Sequence, residues 1–201
     1  MKKYKLTDDV KILPNGCTVY RIQAIRSFGK VKAGDLGGWI DESTSLAHTG
    51  NCWIADEAIV CGGRLYAGKS GTPHIWGNAQ IYGNAFIEGQ ANISGNAKIF
   101  DKAHLIGDAL GVTVTDNAKV YGNASLLDRC NIQDYAQVRD NALVEWNATV
   151  GGHAIIEGKA IITNNVIIDG KTRVKDKTIG DPSQIQYLRY RFGGKHWLKK
   201  Y

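Results

Sequence analysis

A repeat of six residues runs through most of this chain. From Ile75 it reads IWGNAQ IYGNAF IEGQAN ISGNAK IFDKAH LIGDAL; after three extra residues, Gly111 to Thr113, the period resumes at Val114 and continues to VKDKTI. All seventeen hexads begin with Ile, Leu or Val. The fifth position is Ala in thirteen, the exceptions being Cys130, Val166, Thr172 and Thr178. The third is Gly in nine and Asp in six, and the fourth is Asn in eight. A period of six fits no 3.6-residue helix. Positions one and five share one face of an extended strand. One is branched and one small, which suits an interior too narrow for two large side chains. Gly, Asp and Asn between them tolerate tight or left-handed turns. Each hexad therefore reads as a short strand plus a corner. Corners at this interval coil the chain, and stacked coils pair as parallel strands ~4.8 Å apart. The spacing predicts an all-β, single-stranded parallel β-helix, a β-solenoid of three hexads per coil and roughly 27 Å in height.

Aliphatic at position one and small at position five is similar to the hexapeptide repeat of left-handed, triangular β-helices. The handedness is an implication of that resemblance; the spacing alone does not contain it. The upstream stretch VKAGDLGGWIDESTSLAHTGNCWIADEA (Val31–Ala58), with TVYRIQAIRSFGK before it, resembles the YdcK-like β-helix proteins of bacteria and their phages. The resemblance covers residues 18–180 and implies fold more than activity. An earlier coil is expected from Ile40, Leu46, Ile54 and Val60, with irregular loops near Gly62–Pro73. The chain thus divides into an N-terminal β-cap (1–30), the β-helix (31–180) and a C-terminal extension (181–201). In the cap, Tyr4–Leu6 and Thr18–Phe28 are β-prone around a turn at Pro14-Asn15-Gly16. A cap is needed because a terminal coil exposes strand edges.

The chain has 201 residues, 43% of them hydrophobic and 22% charged, which excludes global disorder. No apolar run approaches the ~20 residues of a membrane span, so no membrane association is expected. MKKYKLTDDVKIL lacks the apolar core of a signal peptide. The four cysteines have no CxxC spacing, so reduced thiols in a cytoplasmic protein are expected. The net charge of +6 is unevenly placed: +6 over residues 1–32, −7 over 33–170 and +7 over 171–201. Anion binding is therefore expected at the ends, the C-terminal extension first. Its sequence, QIQYLRYRFGGKHWLKKY, predicts a hairpin about Gly193-Gly194; a short helix over 183–191 is the rival. Paired as a hairpin, one face carries Leu188, Tyr190, Phe192 and Trp197. Arg189, Arg191, Lys195, His196, Trp197, Lys199 and Lys200 are the binding candidates, suited to phosphate contacts with base stacking.

Every third hexad shares a prism face. The face led by Ile81, Ile99 and Val120 is expected to carry an apolar outward stripe: Tyr82, Phe86, Phe100, His104, Tyr121, Leu143, Ile161 and Ile179. Such a stripe marks an interface, either with another subunit in a dimer or trimer or with the apolar side of the C-terminal extension. Hexapeptide folds include acyltransferases with a catalytic His and carbonic anhydrases with three His ligands. His153 and His104 are the catalytic candidates here. His153 occupies a corner otherwise filled by Asn, and His104 falls on the stripe, so structural roles are the plainer reading of both. No spacing suits a metal site, the third-position aspartates read as turn residues, and no cofactor is expected. The favoured expectation is a non-catalytic scaffold that binds a protein partner, encoded by a phage or prophage and able to inhibit a host defence complex. The alternatives are a hexapeptide-type acyltransferase and a nucleic-acid binder acting through the basic extension.

Overall fold

The corners decide this fold, because each must leave the next strand stacked on the coil before. At one edge of the prism the third-position residues of successive coils are Asp56, Gly83, Asp101, Gly122, Asp140, Gly158 and Asp176, and every one has φ between 52 and 73°. Asp and Gly are the residues that enter this left-handed region at least strain. The aspartates also accept hydrogen bonds from the adjacent coil. Asp56 takes the N–H of Gly83 at 2.9 Å, Asp101 that of Gly122 at 3.1 Å and Asp140 that of Gly158 at 3.0 Å. At the next edge Gly95 (φ 65°) faces a tighter constraint: a Cβ there would lie 2.7 Å from the backbone nitrogen of Asp116.

The computed structural model describes residues 1–63 and 71–180, and among these there is no helix. The strands form a parallel β-solenoid of about seven turns. Three faces are stacked from the hexads. Face A runs through Leu36–Ile40, Ile59–Cys61, Phe86, His104, Ser125–Asp128, Leu143–Val144, Ile161–Ile162 and Thr178–Ile179. Face B runs through Ser45–Leu46, His74–Ile75, Ile93, Val114, Asn131–Ile132, Thr149–Val150 and Ile167–Ile168. Face C is a seven-stranded sheet from Trp53–Ile54 to Arg173–Lys175. Two long strands, Phe86–Ile93 and His104–Val114, bend through the A–B edge and join those faces. The expected early coil is present, with Ile40, Leu46, Ile54 and Val60 all buried.

The interior is the expected one. Position-one residues such as Ile81, Ile99, Val120, Val138 and Ile156 are 0% exposed, as are the alanines at 79, 97, 118, 136 and 154. Cys130 fills an Ala slot at 0%. All four cysteines are free thiols. At the N-terminus β1 (Tyr4–Ile12) pairs antiparallel with β2 (Thr18–Ala24), and β2 pairs antiparallel with β3 (Leu36–Ile40), the first strand of face A. Leu13, Val19, Trp39, Cys61 and Phe86 form a second small core outside face A, where this cap meets the coils.

Two details differ from the expectation. The three extra residues lie earlier than Gly111–Thr113. Gly107 pairs with Gly89 and Val112 with Ala91, so Asp108 to Gly111 stand opposite Gln90 alone. Val112 occupies the small-residue position at 0% exposure, and Asp108 ties the bulge by accepting the N–H groups of Leu110 and Gly111. A valine in an alanine slot hid the true site of insertion. The last repeat is also one residue short. Ile161 pairs with Thr178 and Ile162 with Ile179, so Ile179 packs against the core and leaves the outward stripe.

Removing one interior rung tests the packing. Ile99→Ala is expected to cost about 2–5 kcal/mol, because the flanking coils are held by their hydrogen bonds and cannot close the cavity. Asp101→Gly, which keeps the left-handed corner but loses its acceptor, is expected to cost about 0.5–1.5 kcal/mol. Equilibrium denaturation by urea measures both.

Candidate functional site

Outward side chains are at strand positions two and six, and they form columns running along the prism. On face C the position-two column begins with three rings. Tyr82 stacks on Phe100 at 4.9 Å and Phe100 on Tyr121 at 4.8 Å, with interplanar angles of 2° and 3°. The column continues in charge: Arg139 donates to the Tyr121 hydroxyl at 3.1 Å and pairs with Glu157. Glu157, 2% exposed, also pairs with Arg173. The Arg139 guanidinium, followed by that of Arg173, holds the Glu157 carboxyl below the usual range.

The position-six residues Phe86, His104, Ser125, Leu143 and Ile161 form a different column. They pair in register on face A. The expected stripe is thus two columns separated by the corner at residues 83–85: Tyr82, Phe100 and Tyr121 on face C, and Phe86, His104, Leu143 and Ile161 on face A. A position-six residue already belongs to the next strand, because the corner ends at position five. The imidazole of His104 lies against the ring of Phe86, centroids 5.2 Å apart. Burial pushes its pKa down to about 4. It is therefore neutral at physiological pH and poorly matched to taking a proton, since a general base works best near the operating pH.

His153 sits on the edge between faces B and C, on a column of fourth-position residues. Along that edge Asn51 donates its amide to the side-chain carbonyl of Asn78, Asn78 to Asn96 and Asn96 to Asn117, each at 3.1 Å. Tyr135 and His153 take the next two places, with rings stacked at 4.8 Å and 6°. Tyr135 is 55% exposed and His153 is exposed beside it. Two carboxylates flank the intervening glycines: Asp134 accepts the N–H of Gly152 at 2.8 Å, and Asp169 that of Gly170 at 2.6 Å. The corner role expected for His153 is real, since its N–H donates to the Gly170 carbonyl at 2.6 Å. That bond fixes the backbone and leaves the imidazole at the surface. His104 lies on face A and His153 on the edge between faces B and C, so the two candidate histidines do not meet. The residues of the C-terminal extension, Arg189, Arg191, Lys195, His196, Trp197, Lys199 and Lys200, lie outside the described residues. Among the described residues, no three His, Cys, Asp or Glu side chains converge as metal ligands. No helix among them is long and apolar enough to cross a membrane.

Sequence reasoning missed one cluster. Glu145 and Thr163 stand at position two on face A, beside Asp128 at the corner, and are 1%, 0% and 8% exposed. Burial, with the Asp128 charge adding to it, pushes the Glu145 carboxyl up to about 7. The next residue, Trp146, has φ 53°, a conformation strained for so bulky a side chain. The signal in the sequence was VEWNAT, where Trp replaces the Gly or Asp of other corners.

The comparisons with known proteins agree with this architecture. A family model described as the GMPPB C-terminal domain matches residues 81–188. A protein of Escherichia coli named "Uncharacterized acetyltransferase YdcK" is 39% identical over 88 residues, covering 38% of this chain and 27% of that protein. The chain therefore matches little more than a quarter of that relative's length. The expectation of a non-catalytic, phage-encoded scaffold draws no support from either comparison.

The raised Glu145 pKa has a definite consequence. The folded state keeps the proton up to about pH 7, whereas the unfolded chain loses it near 4.5. Between these values the native state binds more protons, so this group makes stability fall as pH rises. Glu145→Gln is expected to remove that slope and to stabilise the protein at pH 8, read as Tm across a pH series.

Proposed function

Because the chain belongs to the GMPPB C-terminal domain family, built on hexapeptide coils, we propose that it is an acyltransferase of the hexapeptide class, with acetyl-CoA as donor. The observation that carries this reading is the 39% identity to a relative named as an acetyltransferase. His153 is the residue assigned to proton transfer. It is exposed on a rigid edge, braced by the Tyr135 ring on one side. In the proposed step an acceptor hydroxyl or amine attacks the thioester carbonyl and His153 takes its proton. The carbon–sulfur bond then breaks, and the proton passes to the departing thiolate of CoA. His104, its pKa pushed down by burial and its ring set against Phe86, suits this role less well. A rigid β-helix suits the chemistry, because sites on regular elements hold geometry better than sites on loops.

The test is CoA release from acetyl-CoA in the presence of amine and hydroxyl acceptors. His153→Ala is expected to lower turnover by about 10²-fold or more, while His104→Ala leaves it within a few-fold. Absence of both turnover and calorimetric CoA binding would overturn the assignment. A second reading, a protein-binding scaffold, is supported by the in-register apolar column on face A. It predicts partner capture that Leu143→Asp abolishes and His153→Ala leaves intact.

A further inference from the structure

Strand alternation sends positions two and six of every face A strand away from the core. Several of these outward side chains are nevertheless covered. Ser125 is 7% exposed, Glu145 1% and Thr163 0%, and Leu143 and Ile161 are half-buried. The small core under the N-terminal cap ends at Phe86. Ser125 lies two coils further on, Leu143 and Glu145 three, and Ile161 and Thr163 four. On face B the corresponding outward positions are more open: Asn92 and Ile167 are exposed and Thr113, Asn131 and Thr149 half-buried, with Ser94 the buried exception. Face A also differs in chemistry. Its two outward columns are Phe86, His104, Ser125, Leu143 and Ile161 beside Glu88, Ile106, Leu127, Glu145 and Thr163: apolar and acidic, with no Lys or Arg among them. Face C presents Lys98, Lys119, Arg139 and Arg173.

We propose that the outer wall of face A is the docking surface for the chain's own C-terminal segment, residues 181–201. Three observations single out this occupant. The last described strand, Thr178–Ile179, lies on face A itself, so the segment leaves from the foot of this wall. Its 21 residues are long enough. Five coil steps separate Thr178 from Phe86, ~24 Å at the parallel-strand spacing, which about eight extended residues span. The charges and surfaces match as well. The segment holds five Lys or Arg and one Asp, together with Leu188, Tyr190, Phe192 and Trp197. Its cations suit the acidic pair Asp128 and Glu145, and its apolar side chains suit Leu143 and Ile161. The same cations are repelled by the lysines and arginines of face C.

Cysteine pairing in the full chain tests the proposal. Leu143→Cys is combined in turn with Leu188→Cys, Tyr190→Cys or Phe192→Cys. The controls carry Thr149→Cys, on face B, with the same three. Mild oxidation is followed by non-reducing electrophoresis after mixing two differently tagged chains. At least one Leu143→Cys pair is expected to close an intrachain bridge tenfold or more faster than its Thr149→Cys control. Adding Glu145→Lys is expected to slow it several-fold. Equal rates on the two faces would overturn the proposal. Bridges formed chiefly between the two tags would also overturn it, and would assign the wall to a second copy.

Discussion

The backbone hydrogen bonds between successive coils are the interaction on which the rest depends. Each face is a ladder whose partners lie one coil away, so every corner must turn the chain by the same angle. Few residues enter the left-handed region that this turn requires. That explains why Gly, Asp and Asn recur at the same place in the repeat. The aspartates add an acceptor for an N–H of the adjacent coil, as Asp101 does for Gly122, which is a gain glycine lacks. Inside, the narrow triangle admits one branched residue and one alanine per strand. Outside, the constraint vanishes, and the surface columns are free to differ.

Those columns turn a repetitive fold into a surface with distinct edges. Because each residue stacks on its counterpart one coil away, like side chains form continuous ladders. The rings of Tyr82, Phe100 and Tyr121 are one ladder, and the amides of Asn51, Asn78, Asn96 and Asn117 are another. A column is broken where chemistry changes along it, and those breaks are the informative places. The asparagine edge gives way to Tyr135 and His153, and the apolar wall of face A is interrupted by Glu145. A ladder of amides is a structural device. An exposed imidazole stacked at its end and a carboxyl covered within a wall interrupt that pattern.

The departures from the sequence reading have local physical causes. The repeat located most interior residues but misplaced the insertion, and with it took the exposed Ala109 for the interior position that Val112 fills. The stripe was drawn as one face because hexads were counted from position one. The chain counts from the corner, so position six belongs to the strand that follows. Ile179 left the stripe because the final repeat, from Val174, is one residue shorter and changes the register of the last strand. The Glu145 cluster was invisible because a carboxyl's burial depends on what lies one coil above and below, which no single hexad contains.

By itself the sequence determined the solenoid, most of its interior residues and the corners, since all three follow from a period of six and from steric limits on φ that act locally. It also determined the charge asymmetry that makes the ends basic and the coils acidic. The tertiary structure alone decided which outward residues share a column, which histidine is neutral and walled in and which is at the surface, and where a carboxyl loses water. Those properties arise from stacking residues about eighteen apart in the chain, so they depend on the register between coils rather than on any stretch of sequence.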